Sequence, residues 1–310
     1  MSYVSKKPYG ICYGPHRDGQ DPTKNIHPNY TEMHQDITFL NKLTKRIRVY
    51  SSQSILHVLK NLDKNKTQIN LGVSLNVDSH INDIEISKAK EILAKYGDLI
   101  DCITVGNEVL ARIVWDSHSD LGHVNPTIKN QIDKIKTNHL IPYIDDLKET
   151  VSKSSDKNIR VTTAEPWRLW QDHPDLVDAV DVITAHIHPY WDGQDAANAV
   201  DYVLQTYNTV MSVGMAHGKK VIIGETGWPT HGDAIGDAIP SPENQLRFIS
   251  EFREIADFNE IEYFFFEAFD EKWKEMYGFV EGHWGLCDSK GMTKHDLAIL
   301  FGTTYKNNWR

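Results

Sequence analysis

Cysteine is scarce in this sequence. Its 310 residues hold three, Cys12, Cys102 and Cys287. An odd count without C-x-x-C spacing excludes a disulfide framework and a zinc ribbon. Cys12 and Cys102 each lie in an apolar strand-like run, where buried free thiols are expected. Long apolar stretches are missing too: nothing approaches the ~20 residues that cross a bilayer, so no membrane insertion is expected. Positive charge is also short, with 33 Lys and Arg against 43 Asp and Glu and a formal charge of −10. Nucleic acid and anionic membrane surfaces both demand basic patches, so neither is an expected partner, and a neutral ligand fits better. No G-x-G-x-x-G follows a strand-like run, and neither H-E-x-x-H nor a serine-nucleophile motif occurs. The opening MSYVSKKPYG lacks the apolar core of a secretory leader. Sequons at Asn29 and Asn65 favour secretion only mildly.

The remaining composition, 40% hydrophobic and 25% charged, is that of an ordinary globular chain. No low-complexity segment or Pro/Ser-rich linker divides it, so a single domain over 1–310 is expected, and a monomer. Short β-branched runs recur along it: YGICYG (9–14), RIRVYS (46–51), INLGVSLN (69–76), DCITVGNE (101–108), IRVTTAEPW (159–167), AVDVITAHIHPY (179–190), KKVIIGETGW (219–228) and EYFFFEAFDE (262–271). Amphipathic segments such as NYTEMHQDITFLNKL and SPENQLRFISEFREIA separate them. The second opens on Ser241, Pro242 and Glu243, a helix start with a capping hydroxyl and proline in the first turn. Strands alternating with helices read as parallel βαβ units, whose sheet is covered on both faces and needs near-continuous apolar runs. Eight repeats in this length predict an α/β fold, a closed (β/α)8 TIM barrel; a doubly wound sheet is the competitor.

Polar residues cluster where each run ends, at the rim where barrel active sites sit. Two runs end alike: VGNE places Asn107–Glu108 after Gly106, and VIIGETGWP places Glu225 directly after Gly224, neither glutamate with a basic residue beside it. The fourth and seventh strands of a barrel stand across the mouth from each other, so these carboxylates can face one another. Glycoside hydrolysis needs such a pair, one to protonate the leaving oxygen and one to attack the anomeric carbon or activate water. Trp115, Trp167, Trp191, Trp228 and Trp273 lie in or just after strand-end segments and offer flat faces to sugar rings. Asn107 can both donate to and accept from a sugar hydroxyl. Glu165 and Glu267 compete for the same roles, and spacing does not rank the four glutamates. His186 and His188 share a strand face, but no third ligand is indicated; no metal is expected, and His188 is read as a hydrogen-bonded rim residue.

VGNEVL around Glu108, GETGWP around Glu225, GICYG near the start and RVY at 48–50 resemble the motifs of glycoside hydrolase family 17. The similarity runs from Tyr9 to about Asp288, and the two glutamate motifs are specific in combination. It implies a β-1,3-glucanase or β-1,3-glucanosyltransferase that needs no cofactor, with Glu108 as general acid/base and Glu225 as nucleophile of a retaining displacement. It implies that Asn107 binds the sugar 2-hydroxyl and that Tyr13, Tyr50 and Tyr190 line the groove. FDEKWK is similar to the family's last-strand pattern, matching Glu271 and Lys274, although Asp270 stands where asparagine is commoner. Glu165, Trp167, Trp191, Trp228 and Glu267 complete the expected substrate-binding set.

The plant branch of that family carries a larger subdomain after the sixth strand, whereas here only WDGQDAANAV separates Tyr190 from the next helix. The resemblance is thus to the fungal cell-wall branch. It favours a glucanosyltransferase that also hydrolyses over an endo-glucanase, with a non-catalytic glucan-binding barrel as the remaining alternative. The expected partner is β-1,3-glucan or laminari-oligosaccharides, and the expected location is secreted or in the cell wall.

Overall fold

The structure is a computed structural model that describes residues 7–59, 62, 67–76, 79–118, 124–154, 159–296 and 300–301. The Asn65 sequon and the first six residues of the opening segment lie outside the described residues. Strands β1 (Gly10–Cys12), β2 (Arg46–Arg48), β3 (Gln68–Val73), β4 (Ile100–Asn107), β5 (Arg160–Pro166), β6 (Val182–His186), β7 (Lys220–Thr226) and β8 (Tyr263–Phe265) close into a parallel barrel, with β8 paired back onto β1. Its outside is covered by α1 (Tyr30–Leu43), α2 (Ser52–Leu59), α3 (Ser79–Tyr96), α4 (Val109–Asp116), α5 (Pro126–Ile135), α6 (Ile141–Ser154), α7 (Trp167–Asp172), α8 (Pro174–Ala179), α9 (Ala199–Ala216) and α10 (Pro242–Phe258). The fold is therefore the expected (β/α)8 barrel. Among the described residues no helix is long and apolar enough to cross a membrane.

Neighbouring positions on each strand face opposite ways, and this splits the core in two. Ile11, Ile47, Leu71, Ile103, Val161, Ile183, Ile223 and Phe265 pack in the large cluster that includes buried helix residues, while Cys12, Cys102, Val182, Ile222 and Phe264 form a separate cluster. The second set, with buried Arg48, Asn70, Thr104, Thr162 and Thr184, holds the alternate positions that point into the barrel. Both expected thiols are buried and free, as is Cys287. Helix starts follow their caps. The Asn29 side-chain Oδ1 accepts from the Glu32 backbone N–H in a reciprocal capping box at α1, and the Ser241 hydroxyl accepts from the Asn244 backbone N–H at α10.

At the C-terminal ends of the strands the ladder slips three times. Pairing shifts between Thr104 and Asn107 on β4, between Ala185 and His186 where β6 meets β7, and between Ile223 and Thr226 on β7. A bulge re-aims the side chains beyond it. Here the slips bring Glu225, not Gly224, opposite His186.

Candidate active site

The first site carboxylate sits on a bent piece of backbone. Gly106 has φ +78°, and a Cβ there would come within 2.6 Å of Val109. Glu108 itself takes the left-handed conformation at φ 54° and ψ 36°, unusual for a side-chain-bearing residue and of a kind found at functional sites. This turns the chain from β4 straight into α4. The Glu108 side chain keeps partial exposure and lies 2.7 Å from His186 Nδ1 through its Oε1.

Glu225, at the end of β7, is almost fully buried and strongly held. Its Oε1 accepts from Arg48 at 2.6 Å and from the Tyr50 hydroxyl at 2.8 Å, while Oε2 lies 3.4 Å from His188 Nε2. Burial alone would push its carboxyl up, but His186, the hydrogen bond from His188 and the Arg48 guanidinium outweigh that and hold it well below the usual carboxylate range. The other arm of Arg48 donates to Asn107 Oδ1 at 2.6 Å, which leaves the Asn107 amide nitrogen as a donor. Glu225 thus has the basic partner that its sequence neighbours do not provide, three strands away around the barrel.

A carboxylate oxygen from each of Glu108 and Glu225 and a ring nitrogen of His186 all lie within 4.8 Å of one another. A cation placed among them would face the Arg48 guanidinium, itself 2.6 Å from Glu225. That charge and the Tyr50 donor already occupy Oε1, so the donor set fits two carboxylates joined by an imidazole better than a metal centre. His188 is hydrogen-bonded at the rim, as expected.

The other expected residues divide sharply. Tyr13, Tyr190 and Trp228 are core residues and do not line the groove. The Tyr13 hydroxyl donates to Asp36, that of Tyr190 to the Asp233 carbonyl, and the Trp228 indole to the Ile239 carbonyl, so each polar tip is used inside the fold. Glu165 is also fully buried and faces no ligand: its oxygens accept from the Leu110 and Ala111 amides at 2.9 and 3.2 Å, clamping the first turn of α4. Burial pushes its carboxyl up to about 8 against those two donors, with the Glu108 charge adding to the rise.

Glu267, Glu271 and Lys274 form a buried ionic cluster, with Lys274 Nζ 2.7 Å from each carboxylate. Two carboxylates share one ammonium, and they split. Burial pushes Glu267 well up, while Lys274 and the His16 contacts overcome burial to hold Glu271 low. Asp270 is buried against Lys294 at 2.7 Å and accepts from the Gly285 amide, which explains a charged residue at that position.

Of the expected substrate-binding set, Trp167 and Trp191 keep part of their rings at the surface, and Trp115 on α4 is 47% exposed. Trp167 is half-buried with the Arg168 guanidinium 4.3 Å from its centre, and Arg168 is held by Asp192. Trp191 is 43% exposed and rests on Tyr190 and on buried Trp284. Arg48 and His186 are site residues that sequence reading missed as such. Glu281 lies on the short turn Phe279–Gly282. Burial pushes its carboxyl up; Glu108 and Glu225 add to this, Lys274 and His188 oppose it, and so it belongs to the same electrostatic unit. Arg48 had one signal, its place in the RVY motif at 48–50.

Comparison with known proteins places this geometry among relatives. Residues 10–285 match the BtgE/BtgC glycoside hydrolase domain. A putative glucan endo-1,3-beta-glucosidase, btgC of Aspergillus niger, is 31% identical over 299 residues, covering 88% of this chain and 40% of that protein. The glucan 1,3-beta-glucosidase of Schizosaccharomyces pombe is 30% identical over 275 residues, covering 84% of this chain and 79% of the relative. In structure, the glycoside hydrolase family 17 beta-1,3-glucanosyltransferase of Rhizomucor miehei is similar with a TM-score of 0.72 at 27% identity, covering 92% of this chain and 94% of that one. The chain thus spans less than half the length of the Aspergillus protein.

Proposed function

The chain belongs to the family of BtgE/BtgC glycoside hydrolase domains, and from that premise we propose that it is a retaining glycosidase acting on β-1,3-glucan, chiefly as a glucanosyltransferase that also hydrolyses. The observation that carries this reading is the meeting of Glu108 and Glu225 across the barrel mouth with oxygens within 4.8 Å. Retaining enzymes hold their carboxyl groups about 5–5.5 Å apart, whereas an inverting pair needs about 6.5–9.5 Å to admit a water. A short separation favours direct attack.

The environments of the two groups support the roles given to them. Glu225 is kept anionic by Arg48 and the two histidines, as a nucleophile requires. Arg48 and Tyr50 saturate its Oε1, so Oε2 is the oxygen left to bond the anomeric carbon. As that bond forms, the glycosidic C–O bond breaks and Glu108 gives its proton to the departing oxygen. In the second half, Glu108 takes a proton from water or from a sugar hydroxyl, whose oxygen displaces Glu225. The free Asn107 amide is placed to donate to the sugar 2-hydroxyl. No cofactor enters this scheme. Transfer is supported by two surface rings, Trp167 and Trp191, which can hold an acceptor at high effective concentration. A secreted or cell-wall location suits such a substrate.

Glu225→Ala should abolish turnover of every substrate. Glu108→Ala should keep the first step for aryl glycosides with good leaving groups, and added azide should restore turnover as a β-glycosyl azide. An α-azide, or an unimpaired Glu108→Ala, overturns the assignment. The second reading, plain endo-hydrolysis, is favoured by the name of the Aspergillus relative. Sizing the products from β-1,3-gluco-oligosaccharides separates the two. A non-catalytic barrel would bind these sugars and release no product.

A further inference from the structure

We propose that His186 is a positioning residue that makes the proton on Glu108 depend on the charge of Glu225. This rests on the roles just given to those two glutamates. The imidazole ends β6 and lies against the backbone of Gly224, where an added Cβ would come within 3.1 Å of Cδ2 and 3.2 Å of Nε2. It is 2% exposed. Its Nδ1 is 2.7 Å from Glu108 Oε1, and its Nε2, with no hydrogen-bond partner among the described residues, is 3.5 Å from Glu225 Oε1. The ring therefore spans the gap between the two carboxylates, one nitrogen toward each.

The proton count follows from these distances. A bare nitrogen lone pair facing anionic Glu225 is repulsive, so Nε2 carries hydrogen while Glu225 is charged. A 2.7 Å contact between Nδ1 and Oε1 needs one proton between them. That proton sits either on Glu108, donated to Nδ1, or on Nδ1, donated to the Glu108 carboxylate. In both forms the Glu108–His186 unit holds one proton ready for the leaving oxygen for as long as the nucleophile is anionic. Once Glu225 is esterified and the proton has left, a Glu108 carboxylate faces the Nδ1 lone pair. That contact makes it a stronger base for the hydroxyl of water or an acceptor sugar, whose proton restores the starting state. His186 gains and loses nothing over the cycle. The other groups around the ring are Arg48 and Tyr50 on Glu225 Oε1 and His188 on Glu225 Oε2, with Glu281 interacting with both carboxylates.

The test compares wild type with His186→Phe, which keeps a ring without nitrogens, and His186→Asn, whose amide can still reach Glu108. Active sites are first counted by the burst from a dinitrophenyl 2-fluoro-glycoside, so that misfolded protein does not enter the rates. General acid–base assistance is worth roughly 10²–10⁴-fold, so kcat/KM of His186→Phe, which reports the first step, should fall about 100-fold per titrated site on laminari-oligosaccharides but under about fivefold on a dinitrophenyl glycoside. Its rate should also fall more steeply with poorer phenol leaving groups, and His186→Asn should recover a large part of the loss. Equal losses on both substrates, or none, overturn the proposal. Glu108→Ala run alongside distinguishes the two levels. If it shows the leaving-group selectivity and His186→Phe does not, only the role of His186 fails; if neither shows it, the assignment of Glu108 fails.

Discussion

The Arg48 guanidinium is the residue on which the site's electrostatics turn. It is 1% exposed and donates at once to the Glu225 carboxylate and the Asn107 carbonyl, each at 2.6 Å. A guanidinium bridges two acceptors in a fixed fork, which an ammonium on a flexible stem does not reproduce. Losing one such preorganised donor typically costs 10²–10³ in rate, so Arg48→Met should lower kcat/KM by about 10³-fold and Arg48→Lys by about 10-fold. The pH profile has a definite sign. A depressed Glu225 stays ionised into acid, so its activity persists to low pH; without Arg48 its carboxyl rises, and the acid limb of kcat/KM should move to higher pH. An unmoved acid limb in Arg48→Met would mean that the histidines alone keep Glu225 charged. Strand-end position brought four glutamates forward in sequence, and only the resemblance of VGNEVL and GETGWP to family motifs singled out Glu108 and Glu225. Their partners were not legible: Arg48 and Glu225 are 177 positions apart and meet only because the barrel closes.

At the scale of elements, α4 is aimed from the neighbouring strand. Glu165, at the end of β5, accepts two amides in the first turn of that helix, and Glu108 is the residue just before it. Sequence placed Glu165 at the rim correctly but read it as facing sugar, because a strand-end carboxylate looks the same whether it binds a ligand or a helix start. Register slips were equally unreadable, since a bulge changes which residues pair without altering composition. The strands themselves were legible because both faces are buried, α1 because its segment is amphipathic, and α10 also because its cap is local. Removing the clamp with Glu165→Ala leaves two buried amides without acceptors, at roughly 1–3 kcal/mol each. It should lower Tm and slow the acid-dependent step with Glu108 displaced. Glu165→Gln probes the charge alone. The native carboxyl is raised from an ordinary value near 4.5 to about 8. Its contribution to stability is therefore complete below pH 4.5 and lost as pH rises toward 8. Thermal melts across that interval should show a downward slope in the wild type that is reduced in Glu165→Gln; identical slopes would show that Glu165 does not titrate there.

For the whole molecule, the proposed mechanism sets water against a second sugar in resolving a glycosyl-enzyme. The expected substrate-binding set held six rings, but the fold withdraws Tyr13, Tyr190 and Trp228 into the core and commits Tyr50 to Glu225. Trp167 and Trp191 remain, on the segments that follow β5 and β6. Trp191 is backed by Tyr190 and Trp284, so its exposed face is stiff, and Trp167 has Arg168 against its ring. A net charge of −10 does nothing for a neutral sugar, so an acceptor must be held by these faces and by hydrogen bonds. Stacking on an aromatic ring is worth roughly 1–3 kcal/mol for a nucleobase, and a sugar should gain no more, so Trp191→Ala and Trp167→Ala should each lower the transfer-to-hydrolysis ratio by about tenfold. Total consumption of donor should fall much less, because the covalent step uses neither ring. The measurement is a time course of product lengths from laminari-oligosaccharides at rising concentration. Wild type should form products longer than its substrate early, and more of them as concentration grows, since acceptor then outcompetes water. Products that are only shorter, at every concentration, would leave water as the sole acceptor and the chain as an endo-hydrolase with the same two glutamates.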